Sequence, residues 1–136
     1  MFPLDRRSGL AGMFGALELR VLEALWQRPD GASVRDLQPD FPSAAYTTLM
    51  TTMDRLHRKG VLDREKRGRA FVYRPRYSRQ ALETGAAART LGSLLGQGHD
   101  RPILSCLVDA VSEHDARLLD DLERLVRAKR RAKERT

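Results

Sequence analysis

A mainly α-helical chain with one small β-hairpin is what this sequence predicts, and three observations predict it. Apolar residues recur at three- and four-residue intervals in six separate stretches. The period changes to two only between Val61 and Pro75, and Gly and Pro punctuate the boundaries.

Leu17, Val21, Leu22, Leu25 and Trp26 form the first stripe, so residues 16–27 read as an amphipathic helix closed by the turn signal Arg28-Pro29-Asp30-Gly31. Ser33 caps a second, short helix through Val34, Leu37 and Gln38, bounded by Pro39 and Pro42. Ser43 caps a third, with Tyr46, Leu49, Met50, Met53 and Leu56 as its inward stripe and Gly60 in the position of a C-terminal glycine. Val61, Leu62, Arg64 and Lys66 then alternate, Arg67-Gly68 marks a turn, and Ala70, Phe71, Val72 and Tyr73 lead back to Pro75, which reads as a hairpin. Its tip and flanks carry Arg64, Lys66, Arg67, Arg69, Arg74, Arg76 and Arg79 against Glu65. Three helices followed by a basic ribbon is the layout of a winged helix-turn-helix, expected over residues 14–79, with 1–13 as a flexible leader.

From Ser78 the pattern is helical again through Ala81, Leu82, Ala86, Leu91, Leu94 and Leu95, until Gly96-Gln97-Gly98 interrupts it. A further helix starts near Arg101-Pro102 and carries Ile103, Leu104, Leu107, Val108 and Val111. Ser112 with Asp115 resembles a capping box opening a last helix through Leu118, Leu119, Leu122, Leu125 and Val126. Residues 131–136 are expected to be a frayed basic tail.

Short helices with wide apolar stripes cannot bury them alone, so residues 80–130 read as a dimerisation region for a second copy of the chain. Its expected contacts are Leu91, Leu94, Leu95, Ile103, Leu104, Leu107, Val111, Leu118, Leu122 and Leu125. The competing arrangement folds these helices back to make one larger monomeric core.

Across 136 residues, 25 Lys and Arg stand against 18 Asp and Glu, a formal charge of +7 that favours a polyanionic partner. In a helix-turn-helix the second helix of the motif lies in the major groove. Here it leaves Thr47, Thr48 and Thr51 facing out, with Arg55 one turn further. Hydroxyls and a guanidinium suit base edges and phosphates. Lys66, Arg67 and Arg69 at the hairpin tip would reach phosphates or the neighbouring minor groove. The expected partner is a double-stranded DNA operator; the alternative is a non-specific architectural protein of DNA or RNA, which differs in its specificity ratio.

Other chemistry has little support. The one cysteine, Cys106, sits in an apolar run, so no intrachain disulfide is possible and a reducing cytoplasm is the natural compartment. No stretch approaches the roughly 20 apolar residues of a membrane span, so no membrane insertion is expected. His57, His99 and His114 have no metal-ligand spacing, and neither a nucleophile elbow nor a phosphate-cradling glycine loop occurs. No catalytic residue, metal or cofactor is expected, and the chain does not read as an enzyme.

Three stretches carry a family resemblance: Leu17-Glu18 through Val21-Leu22 to Leu25-Trp26; Ala45-Tyr46-Thr47-Thr48-Leu49-Met50-Thr51 with Asp54-Arg55-Leu56 and Arg58-Lys59-Gly60; and Gly68-Arg69-Ala70-Phe71-Val72-Tyr73 with Pro75. Together they resemble the BlaI/MecI/CopY family of penicillinase-type repressors. The resemblance implies a bacterial cytoplasmic homodimer whose winged helices hold a palindromic operator against RNA polymerase while the C-terminal helices interlock. In the antibiotic-responsive branch of that family, a membrane sensor protease system triggers a cut within the dimerisation region at an Asn-Phe bond. Ser105 and Cys106 stand at the corresponding place, so the resemblance carries over the region but not the scissile pair. The copper-responsive branch holds Cu(I) in a cysteine cluster, and a chain with one cysteine cannot sense copper by that route.

Overall fold

The computed structural model describes residues 9–136; the first eight residues of the expected leader lie outside them. The chain divides into two compact units, Met1–Arg89 and Thr90–Thr136.

The first unit contains α1 (Ala16–Trp26), α2 (Val34–Leu37), α3 (Tyr46–Arg58), β1 (Leu62–Arg67), β2 (Ala70–Pro75) and the first turns of α4 (Arg79–Leu94). Its core is the set that the periodicity picks out: Val21, Leu22 and Leu25 of α1, Leu37 of α2, and Leu49, Met53 and Leu56 of α3. Leu62 and Tyr73 of the hairpin and Leu82 of α4 join it, as do Ala32, Val34, Phe41 and Val61. Fully burying each of the large aliphatic side chains contributes about 1.5–3 kcal/mol.

Local chemistry sets the element ends. The Gly15 N–H donates to Glu18 Oε1 at 3.0 Å at the start of α1. Ser33 and Asp36 form a reciprocal capping box, the Asp36 N–H donating to Ser33 Oγ at 3.1 Å and the Ser33 N–H to Asp36 Oδ2 at 2.9 Å. Beyond Leu37 the chain continues as one 3-10 turn, Gln38–Asp40, with Pro39 tolerated in its first positions. At the end of α3 the Gly60 N–H bonds the His57 carbonyl at 3.0 Å and the Val61 N–H bonds the Leu56 carbonyl at 3.2 Å. This is a Schellman motif, with Gly60 at φ +82°.

The hairpin pairs antiparallel from Leu62↔Pro75 to Arg67↔Ala70. Among its two central loop residues only Gly68 has positive φ, as a type II′ turn requires. Ala32 adds one further rung, exchanging hydrogen bonds of 3.0 and 2.9 Å with Tyr73. Gly31, at φ +84°, makes this approach possible: a Cβ there would lie 2.7 Å from the Tyr73 carbonyl oxygen.

Several expectations need correction. Residues 9–13 are not a free leader: Gly9–Gly12 forms a 3-10 turn, Leu10 is fully buried and Phe14 nearly so, because two large apolar side chains gain more from the core than from water. Ser43 does not cap α3. A turn from the Phe41 carbonyl to the Ala44 N–H carries the chain on to Ala45, which holds the cap position without a side-chain bond. The inward stripe of α3 is Leu49, Thr52, Met53 and Leu56, while Tyr46 and Met50 stand on its flank, each 45% exposed. Thr52 enters the core because its hydroxyl donates to the Thr48 carbonyl at 2.7 Å. The first unit also reaches Arg89 rather than 79, since Leu82 and Ala86 of α4 pack on its core.

The second unit contains the end of α4, α5 (Asp100–His114) and α6 (Leu118–Glu134). Gly96 and Gly98, both at positive φ, make the turn before α5, and the Gly96 N–H bonds Asp100 Oδ1. The α5–α6 break falls after His114, not at Ser112, which continues α5. Asp115 ends that helix and its Oδ1 accepts the Arg117 N–H at 3.0 Å; the Arg117 guanidinium bonded to the same carboxylate holds its pKa below the ordinary range. The expected frayed tail is helical as far as Glu134: Ala, Lys and Arg are strong helix formers, and cations complement a helix C-terminus.

No residue of this unit is fully buried. α5 and α6 pack on each other, and Ile103, Leu107, Val111, Leu119 and Leu122 are half-buried. Leu91, Leu94, Leu95, Leu104 (51%), Val108, Leu118, Leu125 (67%) and Val126 remain exposed.

Candidate nucleic-acid interface

α3 is held from below by its buried stripe and at its C-terminal end by a charge pair. Lys59 Nζ donates to Glu18 Oε1 at 3.0 Å and lies 2.9 Å from Oε2. Burial alone would raise the Glu18 pKa; the bonds from the Gly15 N–H and Lys59 outweigh it and hold the carboxyl below its ordinary value. The same Lys59 ammonium sits 5.1 Å from the centre of the Phe14 ring. Lys59 is therefore engaged in fixing α3 to α1, whereas Arg58 points out and pairs with Asp54 at 3.0 Å.

The opposite side of α3 is exposed at Thr47, Thr48, Thr51 and Arg55. Among the described residues Arg55 makes no ion pair, and the Thr47 and Thr51 hydroxyls make no side-chain hydrogen bond. Thr47, Thr48, Thr51 and Arg55 line one shallow groove with Gly15, Ala16 and Leu17 at the start of α1. Tyr46 and Met50 extend this surface, and sequence reasoning missed them because spacing alone assigns any apolar residue on the edge of a helical stripe to the core. An aromatic ring and a thioether on an outward face offer apolar contact to a thymine methyl or a sugar.

The hairpin is less positive than its sequence suggests. Arg64 pairs with Asp54 at 3.1 Å, Arg76 with Asp63 at 2.7 Å and Arg79 with Glu23 at 3.4 Å, while Glu65 lies between Arg67 at 3.6 Å and Arg74 at 4.0 Å. Asp54 and Glu23 come from α3 and α1, distant in sequence, while Asp63 sits within β1 itself and is a second acid beside Glu65 that the expectation for the hairpin left out. Lys66 and Arg69 have no ion pair among the described residues, and with the loosely paired Arg67 they make the tip the net positive part of the hairpin. Arg64 lies over the Phe71 ring at 4.2 Å and bonds Asp54, which ties the hairpin to α3.

Among the described residues no group of three or more His, Cys, Asp or Glu side chains could hold a metal ion, and no helix is long and apolar enough to cross a membrane. Ser105 and Cys106 are both exposed on α5.

The chain matches the penicillinase repressor family over residues 14–127. It is 30% identical over 116 residues to the Transcriptional regulator BlaI of Mycobacterium tuberculosis, in the CDC 1551 / Oshkosh and ATCC 25618 / H37Rv strains. That match covers 80% of this chain and 84% of the relative. A crystal structure of M. tuberculosis Rv0081 matches with 23% identity and a TM-score of 0.46, covering 64% of this chain and 85% of that one. With a helical body, one hairpin and a family match across most of its length, this winged helix-turn-helix chain belongs to the penicillinase repressor family, whose members are transcriptional repressors and not enzymes.

Proposed function

We infer that the protein represses transcription as a homodimer on a palindromic double-stranded DNA operator. α3 enters the major groove, with Thr47, Thr48, Thr51 and Arg55 as its readers, and Lys66, Arg67 and Arg69 lie on phosphates or in the adjacent minor groove. The observation that supports this best is the outward face of α3: among the described residues its hydroxyls and its guanidinium make no side-chain hydrogen bond or ion pair, although the cations around them are paired. A surface with unused hydrogen-bonding capacity on a rigid helix suits a ligand that supplies base edges and phosphates.

The exposed leucines of α4, α5 and α6 supply the second half of the reading. So many large apolar side chains in water are unfavourable, and a second copy of the same surface covers them with two-fold symmetry. Release of the operator by a cut near Ser105 and Cys106, under a membrane sensor protease system, would act on this region, because both residues lie on α5 between its half-buried positions Ile103 and Leu107.

The test is binding of the purified protein to the promoter upstream of its own gene against random duplex of equal length, across a salt series. Preference for one palindrome by on the order of a thousandfold supports the repressor reading. Equal affinity for both duplexes refutes it in favour of a non-specific architectural protein.

A further inference from the structure

α6 changes character at Arg127. Up to that point its cations are balanced, Arg124 by Asp121 at 3.5 Å and Arg127 by Glu123 at 2.8 Å, and its apolar stripe runs through Leu118, Leu122, Leu125 and Val126. Beyond it the helix continues to Glu134 with every residue exposed and no apolar side chain larger than alanine. Lys129, Arg130, Arg131, Lys133 and Arg135 face Glu134 alone and make no ion pair among the described residues. Residues 128–136 thus carry a net +4 of the chain's +7. More than half of the excess basicity lies outside the winged helix.

We propose that residues 129–135 form a second DNA-binding surface, one that grips phosphates without reading sequence. Complementing the helix dipole needs cations only in the last turn, and five over nearly two turns exceed that need. At 100° per residue these five spread around the whole circumference of α6 instead of forming one face. Such a cylinder of charge has no register to match against an acidic patch on a protein, but it suits the dense, evenly charged backbone of a duplex, where release of counterions rewards charge density alone. The inference rests on the proposed function in taking duplex DNA as the partner; it adds a contact that α3 and the hairpin do not make.

The experiment compares the full chain with the quadruple variant Lys129→Gln, Arg130→Gln, Arg131→Gln and Lys133→Gln. Gln preserves helix propensity, and circular dichroism checks that helicity is retained. A control variant, Lys129→Arg with Lys133→Arg, keeps the charge. Binding to operator and to random duplex is measured from low to moderate salt. Each lost phosphate contact makes the log–log salt slope shallower by about 0.9, so the Gln variant is expected to lose about 2 or more per protomer on both duplexes. It should also lose about tenfold or more in random-duplex affinity at low salt, with the Arg control unchanged. An unchanged slope in the Gln variant overturns the proposal. If operator preference is intact in that case, the reading of α3 stands and only the second surface fails; loss of binding to phosphatidylglycerol vesicles with unchanged duplex binding overturns it in favour of a lipid surface.

Discussion

Lys59→Ala offers a quantitative test of how the candidate reading helix is anchored. Glu18 is only 7% exposed, and the substitution removes the cation that lies 2.9 Å from one of its oxygens and 3.0 Å from the other. Breaking a fully buried pair costs about 3–5 kcal/mol. Here the Lys59 side chain is 38% exposed, so water screens the pair, and the Gly15 N–H remains on Oε1, which brings the expected cost to about 1–2 kcal/mol. For a folding unit of this size that lowers Tm by roughly 5–10 °C.

The pH dependence gives the test its sign. The folded Glu18 pKa lies below its ordinary value of 4.5, so its contribution is fully present well above that pH and is lost as pH falls through the folded value. Without Lys59 the effect of burial is less opposed and the folded pKa rises. The Tm deficit of Lys59→Ala should therefore be full at pH 7 and shrink at acidic pH, below the folded value, where the carboxyl is protonated. Thermal unfolding followed by the fluorescence of Trp26, the chain's one tryptophan, reads this directly. An equal deficit at both pH values, or the same deficit when Lys59→Ala is made in a Glu18→Gln background, would refute the reasoning.

Arg55→Ala should weaken operator binding by about 1–3 kcal/mol with relaxed preference at one base pair, and titration against single-site operator variants checks it; a uniform loss across sequences would make Arg55 a phosphate contact. Leu125→Glu should convert dimer to monomer in sedimentation without loss of helicity, because its side chain is 67% exposed in a single chain; a persistent dimer would place the interface elsewhere. Gly31→Ala should destabilise the first unit by more than about 1–2 kcal/mol, the cost of left-handed backbone for an L residue, since its Cβ also meets the Tyr73 carbonyl. Denaturant unfolding with an unchanged midpoint would show that the Ala32–Tyr73 rung is dispensable.

Much of the winged unit is legible in the sequence because its signals are local. The three- and four-residue spacing of Val21, Leu22 and Leu25 names a buried face without knowledge of what covers it, and Ser33, Gly60 and Gly68 mark ends and turns by their own chemistry. What spacing cannot supply is long-range. Leu10 looks like part of a Gly/Ala leader until α1 and its neighbours provide a place for it. Tyr46 and Met50 look buried because periodicity reports a stripe's direction and not its width. The partner of Arg64 arises from the approach of α3 and leaves no trace in the hairpin's own sequence, whereas Asp63, the partner of Arg76, stands in β1 and was legible there. The anchoring pair Glu18–Lys59 joins residues 41 apart and leaves no local trace.

Asp54 stands on the outer side of α3 with one oxygen on Arg58 and the other on Arg64 of β1, whose guanidinium also covers Phe71. A single carboxylate thus works like the pivot of a calliper, setting the span between the helix and the ribbon. The residues that would choose bases, Thr47, Thr48, Thr51 and Arg55, take no part in that joint. The vocabulary of the helix can accordingly be rewritten while the span of its grip is kept, so retargeting such a protein to a new site should begin with those four positions and leave Asp54, Arg58 and Arg64 in place.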